Sequence, residues 1–229
     1  MSRYPYLPLA AALFLAAVSS APAQTAPPAA TAAPAPSAAP YVVKGFRSAQ
    51  FGMTEAQVLS AAAKDFGVDP KAATRQVNAA QGTTVVTFTV ARIEPVPVPA
   101  QVSYIFGASG HTLVHVNVVW STVAGQEDAQ RPVLIASALK LRTYFRGYGW
   151  PPKQMASDVP AGPNGVITFV GRDASGGAVE VMLQGVSYSR DVGGKTVASP
   201  VPTGPAVLRV AYSQNAAKPD VARVAPGSF

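Results

Sequence analysis

Cysteine does not occur in this 229-residue chain, and histidine occurs only twice. Without a thiol the chain can form no disulfide, no thiolate nucleophile and no cysteine-ligated metal site. The acyl anchor of a bacterial lipoprotein, which needs a cysteine, is excluded as well. The absence therefore removes thiol chemistry, and it leaves any metal binding to histidine and carboxylate side chains.

The first 23 residues have the three parts of a secretory signal peptide. Arg3 and the amino terminus supply positive charge, residues 7–18 are apolar, and residues 21–23 (APA) predict cleavage after Ala23. The apolar run is shorter than the roughly 20 residues that span a bilayer, which disfavours an uncleaved membrane anchor. We expect a periplasmic or secreted protein with no transmembrane segment or lipid anchor. The A-x-A site and the absence of cysteine suggest a bacterial protein, because a eukaryotic secreted domain would more often carry disulfides.

Composition divides the rest of the chain. Residues 24–40 are rich in proline and alanine and contain no charge, which predicts a disordered linker. Residues 215–229 are predicted to form a flexible tail. The chain between them is long enough for two small modules, which we place at residues 41–122 and 123–214.

The first module opens with a helix signature. Thr54 is a favourable N-cap and Gln57 completes a T-x-x-Q capping box, while Met53 and Val58 occupy the positions of a hydrophobic staple. Gly67 stands where a left-handed C-cap is expected. Residues at helical spacing predict the face turned to the core: Ala56, Leu59, Ala63 and Phe66.

After this helix the hydrophobic period becomes two, which predicts an antiparallel meander. Residues 83–93 and 101–106 alternate, and the glycine-rich residues 107–110 predict a hairpin loop before residues 111–120. The residues predicted to face the core are Val86, Phe88 and Val90, then Val102, Tyr104 and Phe106, then Val114, Val116, Val118 and Trp120.

A similar order follows in the second module. Residues 125–150 predict a longer helix with Pro132 in its first turn, ended by Gly147, Gly149 and Pro151. Its apolar stripe is Leu134, Ala138, Leu141 and Phe145. Strands are predicted at residues 165–171, 178–189 and 206–213. The fold class is therefore α+β: tandem helix-plus-antiparallel-meander modules, with the helices packed on one face of the sheet or sheets.

Two stretches resemble a known family. Residues 51–58 (FGMTEAQV) resemble the G-M-T-x-x-x-V helix start of the SmpA/OmlA (BamE-type) outer-membrane lipoproteins, and residues 103–118 resemble that family's closing hairpin. The tandem modules of beta-lactamase inhibitor protein are similar in outline. The resemblance implies a non-enzymatic role in which sheet or loop surfaces dock onto a protein. The chain departs from the lipoproteins in lacking the anchor cysteine and in having a second module.

Residues that could carry catalysis are few. On one strand His111 and His115 stand about 13 Å apart, too far for both to ligate one metal ion, and no metal or cofactor is expected. The serines lack a G-x-S-x-G elbow, and no phosphate-binding loop is present. The carboxylates available to a hydrolase are Asp158, Asp173 and Glu180, and nothing in their spacing brings them together.

An aromatic and arginine group near the end of the second helix is the candidate binding site. Such residues are enriched at interface hot spots. The group consists of Arg142, Tyr144, Arg146, Tyr148 and Trp150. In the alternative interpretation, Trp150 and Phe145 complete the core while the arginines remain in water.

The formal charge of +7 comes from scattered basic residues rather than from a continuous run. We therefore predict a non-catalytic exported binding protein that recognises a protein or another envelope component, with no nucleic acid expected as partner. Two alternatives remain: a small carboxylate-dependent hydrolase of cell-envelope polymers, and a basic adhesin for anionic surfaces.

Overall fold

The structure is a computed structural model that describes residues 39–202 and 204–223. The predicted signal peptide, nearly all of the predicted linker and the last six residues lie outside the described residues. The described helices and strands are α1 (Glu55–Phe66) and α2 (Glu127–Arg146), with β1 (Gly45–Phe46), β2 (Ala49–Gln50), β3 (Thr74–Asn78), β4 (Thr83–Val90), β5 (Ala100–Phe106), β6 (Leu113–Ser121), β7 (Met155–Ala156), β8 (Val159–Pro160), β9 (Gly165–Arg172), β10 (Ala178–Gln184), β11 (Ser189–Val192), β12 (Lys195–Ala198) and β13 (Val207–Ser213).

Helix α1 begins and ends as its sequence predicts. The Gln57 backbone N–H donates to Thr54 Oγ1 (3.4 Å), and the Thr54 backbone N–H donates to Gln57 Oε1 (2.9 Å). Gly67 has a φ of +66°, and its N–H donates to the Ala63 carbonyl (2.9 Å). Both ends of the helix therefore satisfy backbone groups that would otherwise lack partners.

The buried face of α1 differs from the predicted one. Val58, Ala61 and Ala62 are buried, whereas Ala56 is exposed. Leu59 and Phe66 are partly buried and Ala63 has intermediate exposure. The prediction is therefore confirmed for Leu59 and Phe66, which pack against the core, and wrong for Ala56, which lies two residues, or about 200° around the helix, from the buried Val58.

Nine strands form one antiparallel sheet. Eight of them follow the order β3-β4-β5-β6-β13-β10-β9-β7, and β8 also pairs with β9. Strands from the two predicted modules join where β6 pairs with β13, a junction that we call the seam; there Val118 lies opposite Val210 and Trp120 opposite Leu208. A mixed fold with a large antiparallel sheet and two helices is therefore present, in agreement with the predicted α+β class.

Both helices contribute to one core on one face of this sheet. Val58 of α1 and Leu134, Ala138 and Phe145 of α2 belong to the same buried cluster as the inward side chains of the strands. Helix α2 contacts β9, β10 and β13, whereas α1 packs next to the β1–β2 hairpin. The predicted stripe of α2 and the predicted alternation of β4 and β5 are confirmed.

The alternation of β6 is interrupted at its start. Ile105 pairs with His115 but Phe106 pairs with Leu113, so β6 has one extra residue, Val114, at this bulge. Leu113 is buried in place of Val114, which the sequence pattern had placed towards the core. Val116, Val118 and Trp120 face the core as predicted.

Pro132 is the sixth residue of α2, and the prediction that it lies in the first turn was wrong. Its missing N–H leaves one carbonyl of the helix without the usual partner. The side chain of Gln130 stabilises the turn just before the helix. Its Oε1 accepts from the Val123 backbone N–H (2.8 Å), and its Nε2 donates to Gln126 Oε1 (2.6 Å).

Residues 215–223, which the sequence assigned to a flexible tail, contact the β5–β6 loop. The Asp220 carboxylate accepts from the backbone N–H groups of Ser109 (3.0 Å) and Gly110 (2.9 Å), and the Ala222 N–H donates to the Gln81 carbonyl (2.7 Å). Within the described part of the chain, no helix has the length and apolar character needed to cross a membrane.

Candidate functional site

A cleft of about 580 Å³ opens over the seam, on the helix-covered face of the sheet. One side is formed by α2, and the other by the β1–β2 hairpin together with residues 93–95. We call it the α2 cleft. It exists because α2 covers β9, β10 and β13 while α1 packs against the hairpin, so neither helix covers the seam completely.

The floor of the α2 cleft is apolar. It consists of Val118 and Trp120 from β6 and Val210 and Tyr212 from β13, four side chains that point to the same face because strand residues alternate. Burial raises the pKa of Tyr212, so its hydroxyl remains protonated. The floor therefore presents hydrocarbon and ring surface, with no charge.

Trp120 carries a donor without an acceptor. Its side chain is only 2% exposed, and its Nε1 is among the buried side-chain atoms that have no hydrogen-bond partner within the described residues. A buried polar group left unpaired costs about 1–3 kcal/mol. Within the described residues, Trp120 therefore keeps one buried N–H group without an acceptor.

Aromatic side chains form the two walls. Phe145 of α2 stands 6.2 Å from Tyr212 between ring centroids, and Phe46 of β1 stands 5.2 Å from Tyr212 on the other side. Leu141 and Tyr144 continue the α2 wall towards solvent. The cleft is consequently narrow at its floor and lined with rings, as small-molecule sites commonly are.

The mouth of the cleft is positively charged. Arg47 and Lys140 line it and are exposed, and neither forms an ion pair within the described residues. The Arg47 guanidinium lies 4.7 Å from the Phe66 ring centroid. The acid at the mouth, Glu94, is engaged by Arg92 Nε at 2.7 Å. Two cations therefore face solvent beside an apolar cavity.

The structure separates the five residues of the predicted corner. Trp150 is 5% exposed, and its Nε1 donates to the Phe145 carbonyl (2.7 Å). Tyr148 is half-buried against Tyr41, with ring centroids 4.4 Å apart, and its hydroxyl donates to the Tyr144 hydroxyl. Tyr144 is 59% exposed and lines the α2 cleft. Trp150 therefore completes the core, and Tyr144 connects the predicted corner to the cleft.

The two arginines of the corner differ in their partners. Arg142 donates from one guanidinium nitrogen to both carboxylate oxygens of Asp158, at 2.8 and 2.7 Å. Arg146 is exposed and has no hydrogen bond or ion pair with the other described residues. Neither lines the cleft.

The three acids considered for a hydrolase each have partners of their own. Asp158 pairs with Arg142, and Glu180 accepts from Arg209. Burial acts to raise the pKa of Asp173, but hydrogen bonds from the backbones of Val43, Gly177 and Ser175 and from the Ser175 hydroxyl lower it overall. Asp173 therefore ties the N-terminal segment to the β9–β10 turn.

On the open face of the sheet, His115 joins two polar neighbours. Its Nε2 lies 3.0 Å from Asn117 Oδ1, and its Nδ1 lies 2.8 Å from Ser213 Oγ. Because Asn117 Oδ1 only accepts, Nε2 carries the proton and Nδ1 accepts from the Ser213 hydroxyl. Burial lowers the pKa of His115, which favours this neutral imidazole.

A serine hydroxyl donating to an imidazole is one part of a nucleophilic site. Acyl transfer also needs donors for an oxyanion, and β13 is paired on both sides, which commits its backbone N–H groups to the sheet. The cluster is therefore interpreted as structural. Among the described residues, no three histidine, aspartate or glutamate side chains form a group that could hold a metal ion.

The sequence contained part of the site. The strand alternation predicts Val118 and Trp120 on the core face, and the sequence includes Tyr144 in the predicted binding group; the structure brings all three to the α2 cleft. Nothing in the sequence predicts that Arg47 and Lys140 belong to the site. They come to the same cleft only through the packing of α2 and the β1–β2 hairpin. Likewise, Ser213 meets His115 through strand pairing, which composition does not reveal.

Comparison of the chain with protein-family models, with curated proteins and with solved structures finds no match.

Proposed function

We propose that the chain is a non-catalytic exported binding protein, periplasmic or envelope-associated, that recognises a component of the cell envelope. The α2 cleft is its binding site, and the neighbouring Tyr144–Tyr148 surface contributes to the contact. The observation that carries this proposal is an apolar cleft of about 580 Å³ with two cations at its mouth that form no ion pair within the described residues. Cavities of this size that combine apolar walls with a few polar groups are the usual form of ligand sites.

Two further features support binding over hydrolysis. The acids that a carboxylate-dependent enzyme would need are engaged by separate partners: Asp158 by Arg142, Asp173 by backbone N–H groups, and Glu180 by Arg209. The cleft itself contains one acid, Glu94, which pairs with Arg92.

The tandem organisation belongs to the same proposal. We interpret each half as a helix followed by strands, joined at the seam, so that the cleft lies where the covers of the two halves meet. The resemblance to SmpA/OmlA (BamE-type) and beta-lactamase-inhibitor-protein modules stays a prediction. It agrees with a role in docking rather than in chemistry.

The test is capture from envelope extract with the tagged exported chain and two matched variants. Leu141→Trp places a large side chain on the cleft wall, whereas Leu139→Trp adds the same group on α2 at an exposed position outside the cleft. We expect Leu141→Trp to lose the captured component and Leu139→Trp to retain it. Identical capture by both variants would refute the cleft as binding site. A saturable hydrolytic activity removed by one substitution would refute the non-catalytic role.

The basic adhesin makes a different prediction in the same assay. Binding to an anionic surface through scattered charges weakens steeply with added salt and is indifferent to Leu141→Trp. Binding through an apolar cleft persists in salt and depends on that residue.

A further inference from the structure

We propose that the α2 cleft binds a single-chain amphiphile with an anionic head, a long-chain carboxylate or phosphate monoester. The apolar chain lies along the seam, and Arg47 and Lys140 hold the head. This inference rests on the proposed function and narrows it to one class of ligand.

The charged groups at the mouth favour an anion. The Arg47 guanidinium donates to the Asp65 carbonyl (3.4 Å), but neither it nor the Lys140 ammonium forms an ion pair within the described residues. Both groups are hydrogen-bond donors. The acid at the mouth is occupied by Arg92. A ligand that complements the cleft therefore brings acceptors and negative charge.

The remainder of the cleft is apolar. The floor residues Val118, Val210 and Tyr212 are buried, and above them the partly exposed Phe46 and Leu141 and the exposed Tyr144 offer hydrocarbon and aromatic surface. A free phosphate or acetate ion would use the cations and leave these three side chains in contact with water. Each buried methylene group of an alkyl chain strengthens binding by about fourfold, so the chain supplies most of the affinity and the head supplies selectivity.

The positive charges at the mouth of the cleft favour an anionic head group over a neutral one. Arginine binds carboxylate and phosphate through a planar set of donors, and lysine supplies a mobile point charge. Because both side chains are exposed at the rim, an anionic head remains partly hydrated there and avoids the full cost of burying a charge.

The experiment is isothermal titration calorimetry of the exported chain with dodecanoate, dodecyl phosphate, dodecanol and acetate, each below its micelle-forming concentration at a pH where the acids are ionised. We expect dodecanoate or dodecyl phosphate to bind at least about tenfold more tightly than dodecanol, because a hydrogen bond to a charged group is worth roughly that factor. Acetate should give no detectable binding. The stronger of the two anions identifies the head.

Charge-removing variants test the assignment of the head. Arg47→Gln and Lys140→Gln should each weaken binding of the anion by about three- to tenfold and leave dodecanol unchanged. The double variant should lose the preference for the anion. Lys44→Gln near the hairpin and Arg146→Gln on α2 are the matched controls, since neither residue lines the cleft. Circular dichroism verifies that every variant folds.

The outcomes separate the inference from the proposed function. Equal binding of dodecanoate, dodecyl phosphate and dodecanol, or no binding of any amphiphile, overturns the anionic-amphiphile assignment. In that case capture from envelope extract by the Leu139→Trp chain but not by the Leu141→Trp chain still supports the cleft as the binding site. If Leu141→Trp leaves capture intact, the proposed function fails independently of the calorimetry.

Discussion

The side chains on the two faces of the sheet are stabilised in different ways: by hydrogen bonds to each other on the open face, and by burial under the helices on the covered face. On the open face, polar groups on neighbouring strands bond to each other: Thr87 Oγ1 lies 2.9 Å from Ser103 Oγ, and His115 joins Ser213 to Asn117. On the covered face the side chains are apolar and depend on the helices for burial. Where α2 and the β1–β2 hairpin separate, that cover is incomplete and the cleft results.

This difference indicates where recognition is possible. Polar side chains can meet their hydrogen-bonding needs within the sheet, because cross-strand neighbours lie close enough to pair. Apolar side chains cannot do so, and they gain free energy only when another surface excludes water from them. A gap in the cover is therefore a place where a ligand has something to contribute.

The largest loss of stability should come from truncating a buried side chain of α2, the helix that covers the sheet. Phe145 is 2% exposed and stacks on Phe169 at 5.8 Å between centroids. We expect Phe145→Ala to lower the free energy of unfolding by about 3–5 kcal/mol. Tyr144→Ala, at the neighbouring exposed position, should change it by about 0.5 kcal/mol or less. Urea titration of both variants measures this, and equal destabilisation would show that the α2 wall is not part of the core.

The two tryptophans of the core, Trp120 and Trp150, differ in whether the indole N–H has a hydrogen-bond acceptor. Trp150 Nε1 has an acceptor in the Phe145 carbonyl, whereas Trp120 Nε1 has none. Trp150→Phe and Trp120→Phe remove the same atoms, but only the first removes a hydrogen bond; the Phe145 carbonyl keeps the Tyr148 N–H as a second donor (3.2 Å). We expect Trp150→Phe to be the more destabilising by about 1 kcal/mol, the net worth of one hydrogen bond. Denaturant unfolding of the ligand-free chain measures the difference, and equal losses would argue that Trp120 has a partner.

The open face should respond to pH. Burial lowers the pKa of His115, with Arg209 acting in the same direction and Asn117 and Glu180 opposing it. Between the folded and unfolded pKa values the unfolded chain binds more protons, so stability rises with pH there and falls on acidification. The midpoint of thermal unfolding should drop between pH 7.5 and about pH 5.5, and less so in His115→Gln. Equal drops in the two chains would contradict the assignment.

The smallest expected effect concerns the segment beside the open face. Hydrogen bonds from Gly110 and Ser109 lower the pKa of the exposed Asp220 carboxyl. Asp220→Asn should therefore speed amide hydrogen exchange at these two positions while global stability stays nearly unchanged. Exchange that is unaltered at both amides would mean that this contact does not hold residues 215–223 to the β5–β6 loop. Lys218→Gln is the nearby control.

Much of the fold could be predicted because its signals are local. The cap of α1 depends on Thr54 and Gln57, three positions apart, and the strand faces follow from alternation. Errors arose where a distant element decides the outcome. The bulge that buries Leu113 is set by pairing with β5, and Trp150 is withdrawn from the predicted corner by its contacts with Phe145 and Tyr41.

The candidate site was less predictable for the same reason. Arg47 and Lys140 are ordinary exposed cations in the sequence, and they gain meaning only because the hairpin and α2 stand on opposite sides of the seam. Hydrophobic periodicity predicts which side chains are buried. It does not predict a cleft, because the gap between α2 and the β1–β2 hairpin depends on how these two elements pack on the sheet.

The position of β13 has a consequence for the order in which this protein can be assembled. β13 lies between β6 and β10, so until residues 207–213 arrive both of those strands are open edges. β13 follows β3–β10 in the sequence but lies between β6 and β10 in the sheet. When the chain becomes available from its N-terminus, the sheet therefore cannot be completed until residues 207–213 are present. The long-range pairing delays folding. A truncated chain ending before residue 207 should remain unfolded by circular dichroism and aggregate.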